Sequence, residues 1–170
     1  MEKLLLAVAL GVCALAAAAC GSSSGGAASG SVSSGTATMV SVKHVDGVGT
    51  VLVDSKGQAL YSPMQEAGGK VLCTGSCTSI WQPLTTSGSA KPTGTSDVSA
   101  KLGTLDRPGG VVQVTYQGKP LYTFAEDSGP NTVTGNGAKD AFGGTSFTWH
   151  VAAPGAVTTT STSGGGGYGY

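Results

Sequence analysis

Two cysteines four positions apart, Cys73 and Cys77, carry the most reactive side chains of the central region. Outside the cytoplasm a pair this close is expected to be oxidised, with Gly75 between them letting the chain curl back. Closing so small a loop restricts the unfolded chain by about 2 kcal/mol on the chain-entropy estimate. The pair has two other readings. Short-loop disulfides can be strained and reducible, which suits redox work, and thiolates can ligate a metal together with His44, His150 or Met64. The C-x3-C spacing is not the C-x-x-C of thioredoxin-like oxidoreductases. Haem attachment through C-x-x-C-H is absent. The spacing predicts no metal site and implies no cofactor.

A second constellation is Tyr122, Phe124 and Asp127. Both rings fall on one face of a strand, and Asp127 stands where that strand should end. They could form a ligand or glycan platform, two rings beside a carboxylate. The stronger reading is core rings, with Asp127 capping the turn "EDSGPN" through its backbone amides. Asp127, Asn131, Asn136 and Asp140 offer oxygen ligands, but without the D-x-[DN]-x-[DN]-G order of a calcium loop. The body, residues 39–154, has no G-x-S-x-G elbow. Glu126 and Asp127, as strand neighbours, point to opposite faces and make a poor glycosidase pair. No catalytic residue is assigned, and an enzyme is not the favoured reading.

The elements that must position these residues are strands. "TVLVD", "VVQVTY", "ALYS" and "PLYTF" are rich in β-branched and aromatic residues and alternate or run apolar. "SFTWHVAA" sets Phe147, Trp149 and Val151 on one face and Thr148 and His150 on the other. Gly, Ser, Pro and Asn punctuate the gaps. "GSCTSIWQP" can form a helical turn or two before Pro83 stops it. The expectation is an all-β, antiparallel domain over residues 39–154, with at most one short helix.

Both ends differ from this body in composition. Residues 1–19 read as a signal peptide: a short charged start, then an apolar run from Leu4 to Ala19 that is too short to span a bilayer. Small residues lead into Cys20 and a Gly/Ser stretch, the order of a bacterial lipoprotein signal. Cys20 is the expected lipidation site, where two acyl chains suffice for stable attachment. Residues 20–38 read as a flexible tether and 155–170 as a disordered tail. The chain has nine basic and nine acidic residues and a formal net charge of zero. There is no basic patch, which argues against nucleic acid as a partner. The expected partners are the membrane, through the N-terminal lipid, and an envelope component that the sequence does not identify.

An internal repeat organises the body. An offset of 61 residues carries Leu60-Tyr61 onto Leu121-Tyr122 and Gly57 onto Gly118. Each copy reads as strand, Gly turn, strand, with Gly supplying the positive φ of a tight hairpin loop. A lone hairpin is marginal in water, so two related units should pack together. The second copy, "QVTYQGKPLYTFAED", resembles a family of secreted bacterial lipoproteins with a Yx(FWY)xxD repeat, matched by Tyr122, Phe124 and Asp127. "CTGSC", Trp81 and Pro83-Leu84 resemble that family's first repeat. The first copy departs from the motif after Tyr61, with Pro63 at the aromatic position and Glu66 at the Asp. The family has no established biochemical function, so the resemblance implies fold and location only. Together these readings describe a lipid-anchored extracytoplasmic β domain, a binding or structural component of the cell envelope. The alternative is a redox or metal-handling lipoprotein using Cys73 and Cys77.

Overall fold

The computed structural model describes residues 37–155. The segments expected to be signal peptide (1–19), tether and tail, with Cys20 as the expected lipidation site, lie wholly or almost wholly outside the described residues. Twelve strands organise the described chain: β1 (Met39–Val45), β2 (Gly49–Val53), β3 (Tyr61–Pro63), β4 (Trp81–Pro83), β5 (Thr85–Thr86), β6 (Thr93–Gly94), β7 (Leu102–Arg107), β8 (Val111–Tyr116), β9 (Lys119–Pro120), β10 (Tyr122–Phe124), β11 (Lys139–Phe142) and β12 (Thr145–Val151). They form three sheets, in the orders β2-β1-β6, β11-β12-β3-β10-β4 and β5-β8-β7, with β9 against β8.

The all-β expectation holds, with two corrections. Beside α1 (Cys77–Ile80), where a helical turn was expected, a second single turn occurs at α2 (Ser96–Ser99). Thr95, extended at φ −59° and ψ 158°, leads into it, and the turn buries Val98 completely. One strand pair is also parallel rather than antiparallel: Met39 opposes Thr93 and Val40 opposes Gly94. A Cβ on Gly94 would lie 2.7 Å from the Val40 carbonyl oxygen, so this approach depends on glycine.

The two copies fold alike and interlock. Their hairpin loops differ by one residue. In the second, Gln117 (φ 52°) and Gly118 (φ 74°) make a two-residue turn with both central residues left-handed. In the first, the Asp54 side chain accepts hydrogen bonds from the Lys56 and Gln58 amides, and Gly57 alone is left-handed. The copies meet at the centre of the five-stranded sheet, where Tyr61 of β3 lies directly opposite its equivalent, Tyr122 of β10. An antiparallel pair of equivalent residues marks a local pseudo-two-fold axis.

Each copy then hands its closing strand to the other: β4 pairs with β10, and β12 pairs with β3. The backbone bonds repeat bond for bond. Leu52 donates to Ala152, Ala152 to Leu60 and Leu60 to Leu52 (2.7–2.9 Å). Val114 donates to Leu84, Leu84 to Leu121 and Leu121 to Val114 (2.8–3.0 Å). Neither copy can satisfy its own ladder alone.

The rings follow the same symmetry. Trp81 and Trp149 stack at 3.9 Å, 7° from parallel. Tyr61 meets Trp81 edge-on at 5.4 Å, and Tyr122 meets Trp149 edge-on at 5.2 Å. Such pairs contribute about 0.5–1.5 kcal/mol each beyond their buried area. Phe124 stacks on Trp81 at 4.3 Å, whereas Trp149 faces Pro63 across the strand pair and has Phe147 at 5.6 Å. Gly135 lies so close to the Trp81 ring that a Cβ there would stand 2.7 Å from it.

Candidate functional site

The motif residues converge in the core as two reciprocal clamps. Each tyrosine hydroxyl donates to the carboxylate of the other copy: Tyr61 to Asp127 Oδ2 at 2.7 Å, and Tyr122 to Glu66 Oε2 at 2.6 Å. The offset of 61 that relates the tyrosines also carries Glu66 onto Asp127. The first copy's departure from the motif is therefore chemically conservative, a carboxylate one methylene longer in the same role.

The second oxygen of each carboxylate holds the loop that follows. Glu66 Oε1 accepts from the Leu72 and Cys73 amides, both at 2.6 Å. Asp127 Oδ1 accepts from the Thr134 amide at 2.9 Å and the Thr134 hydroxyl at 2.7 Å. Cys73 and Thr134 are themselves related by the offset of 61. The expected cap of "EDSGPN" is thus corrected: Asp127 reaches past residues 126–131 to Thr134, because its own turn directs the carboxylate inward toward Tyr61.

The ligand-platform reading is also corrected. Tyr61 and Tyr122 are 0% exposed, Glu66 0%, Asp127 5% and Phe124 8%. Buried rings stacked on tryptophan offer no face to a glycan. Burial, reinforced by the bonded carboxylates, pushes both phenols well above their ordinary pKa. At Tyr122 the nearby Arg107 partly offsets that rise.

Arg107, the chain's single arginine, distinguishes the two clamps. Its guanidinium is buried and donates to the Tyr122 hydroxyl at 3.0 Å, to Gln113 Oε1 and to the Cys73 carbonyl. Gln113 in turn donates to the Leu121 carbonyl at 2.7 Å. Around Tyr61 the corresponding place is taken by a backbone donor, the Gly135 amide at 3.4 Å. Sequence reasoning missed Arg107, Gln113 and Thr134. The repeat offset could have pointed to Thr134, and a lone arginine closing β7, two residues past Leu105, is a faint signal for the first.

Cys73 and Cys77 form a disulfide, with Cα atoms 5.3 Å apart, and both are 0% exposed within the aromatic cluster. The other residues singled out lie apart. His44 and His150 are exposed on different strands, and His44 faces Asp46 at 3.9 Å. Asp140 accepts from Trp81 Nε1 at 2.7 Å and Asn136 Oδ1 from the Val151 amide at 3.1 Å, so with Asp127 held by Tyr61 and Thr134, three of the four candidate calcium ligands are engaged elsewhere. Among the described residues no group of three or more His, Cys, Asp or Glu is placed to hold a metal ion.

Two crossed tyrosine–carboxylate clamps thus close a two-copy β core. Residues 103–153 match the family model of a lipoprotein described as a secreted repeat of unknown function. It is the family that the Tyr122, Phe124 and Asp127 signature resembles. The matched segment takes in most of β7 and everything through β12, so it contains the second copy and Asp127. Glu66 and Tyr61 stand outside it, yet they complete its clamps. No curated protein and no solved structure matches the chain.

Proposed function

We propose that the protein is a lipid-anchored, extracytoplasmic and non-catalytic β domain, a binding or structural component of the bacterial cell envelope held to the membrane through Cys20. The observation that carries this reading is the burial of the whole repeat motif. Its phenols and carboxylates are bonded to one another and to loop amides, so the motif closes the fold and leaves recognition to the surface. The secreted character of the matched family supports the extracytoplasmic part. A disulfide sealed in the core supports it too, since such bonds persist outside the cytoplasm. Burial of both sulfurs removes the access that redox exchange needs, which disfavours the alternative through Cys73 and Cys77.

The test is the intact mass and location of the full chain expressed in a bacterium. The expected product begins at a diacylated Cys20, partitions into detergent, and has Cys73 and Cys77 protected from alkylation until denatured and reduced. Cys20→Ala should release it from the membrane fraction. A product cleaved elsewhere and recovered free of membrane, from the unaltered chain, would refute the anchoring.

A further inference from the structure

The pseudo-symmetry that closes the core is broken at one place on the surface, where a cavity of about 530 Å³ opens between the two copies. That volume lies within the roughly 300–1,000 Å³ usual for small-ligand sites. One wall is Ser62, Pro63, Met64 and Ala67, the stretch in which the first copy departs from the motif. The opposite wall is the second copy's hairpin, Tyr116, Gln117 and Lys119. His150, Val151 and Ala153 supply the floor along β12 and just beyond it.

The symmetry explains why the space is open. On the other side of the pseudo-axis, Pro130 packs toward the hairpin turn, its Cβ 3.4 Å from where a Cβ on Gly57 would be. The equivalent contact here is made by Gly69, which has no side chain, toward the Gly118 carbonyl. Leu84, at the matching position of the other backbone triangle, is replaced here by the smaller Ala152. Gly69 of the degraded copy and Ala152 of the other copy's closing segment thus leave side-chain volume missing at one of two equivalent sites.

The lining has a definite electrostatic character. It contains no Asp or Glu, while Lys119 and His150 are both exposed at its rim. Among the described residues Lys119 makes no ion pair. Lys101 Nζ lies 6.0 Å from the centroid of the Tyr116 ring, adding a second ammonium close by. Tyr116 itself is 4% exposed, with its hydroxyl buried away from solvent. Opposite these polar groups stand Pro63, Met64, Ala67, Val151 and Ala153, an apolar half.

We propose that this cavity binds a small organic anion with an apolar body, a carboxylate or sulfonate held by Lys119 and His150 with its hydrocarbon against Met64, Val151 and Ala153. The proposal deepens the binding role proposed above and rests on it. The probe is anilinonaphthalene sulfonate, compared with phenylnaphthylamine, which has the same rings and no charge. Titrated into the purified full chain, the sulfonate should bind one saturable site. Its binding should shift the amide resonances of residues 62–67, 116–119 and 150–155. Lys119→Gln should weaken it by about tenfold, the size of one charge-assisted hydrogen bond, and leave the neutral probe unchanged. Ala153→Trp should abolish both, and near-ultraviolet circular dichroism verifies that each variant is folded. Absence of saturable binding, indifference to both substitutions, or neutral-probe affinity equal to that of the sulfonate overturns the proposal. Loss of the anion site with Cys20 still acylated leaves the envelope reading intact. A soluble chain that still binds the sulfonate has the opposite meaning.

Discussion

In one clamp the Tyr61 phenol sits between Asp127 and a backbone amide. In the other the Tyr122 phenol sits between Glu66 and the Arg107 guanidinium. Geometry is shared and chemistry is not. Asp127 is held by hydrogen bonds from neutral donors, Tyr61 and Thr134. Glu66 is tied to a buried cation through the phenol between them. The loop beyond each carboxylate differs in the same sense: one is closed by a disulfide, the other by a threonine hydroxyl. A two-copy fold therefore requires that each tyrosine find a carboxylate at the crossing. It does not require the same carboxylate or the same surroundings.

The largest effect should come from breaking the charged clamp. Glu66→Ala takes away the carboxylate that faces Arg107 across the Tyr122 hydroxyl and leaves that hydroxyl and the Leu72 and Cys73 amides without their acceptor, so it should destabilise the protein by about 3–5 kcal/mol, read from urea unfolding. Adding Arg107→Met in that background should recover part of the loss. The matching truncation, Asp127→Ala, removes charge-assisted bonds but uncovers no buried cation, so about 1.5–3 kcal/mol is expected. Equal losses at the two sites would erase the distinction drawn here. Next comes Cys73→Ala with Cys77→Ala, where about 2 kcal/mol of loop-closure stabilisation should disappear. The Glu66 bonds to the Leu72 and Cys73 amides should then keep the loop in place in the folded state, visible as unchanged chemical shifts around Tyr122.

The effect that is smallest per tyrosine and per pH unit, and the most diagnostic, is at alkaline pH. Both phenols keep their protons in the folded state beyond the ordinary tyrosine pKa of about 10, while the unfolded chain releases them there. The clamps' contribution is thus complete below about pH 10 and declines above it, by about 1.4 kcal/mol per pH unit for each tyrosine. Tyr61→Phe should halve that slope. Tyrosinate absorbance from these two residues should appear together with loss of the fold, and earlier ionisation would show that the clamps are open to solvent.

Much of this was legible in the chain. Val, Thr and aromatic alternation marks the strands, and the Gly57 and Gly118 turns mark the hairpins, because β-propensity and positive φ act over a few residues. The 61-residue offset already places Glu66 at the position of Asp127, although composition alone does not say that a glutamate can serve there. What local pattern could not reveal is anything that depends on which strands meet. The parallel contact of β1 with β6 and the exchange of β4 and β12 between copies join residues far apart in sequence, and no short-range signal encodes them. Phe124 and Tyr122 read more readily as core than as a platform, and the strands that cover them make them core.

By itself, then, the sequence determined the strand-and-turn grammar, the duplication and the nearness of Cys73 to Cys77, all consequences of backbone preference and short spacing. Only the tertiary structure decided that each tyrosine is held by the other copy's carboxylate, that Arg107 is buried beside one of them, and that the worn copy opens a cavity. Those outcomes follow from burial: a phenol or guanidinium removed from water must find a partner, and which partner lies within reach depends on how the two halves cross.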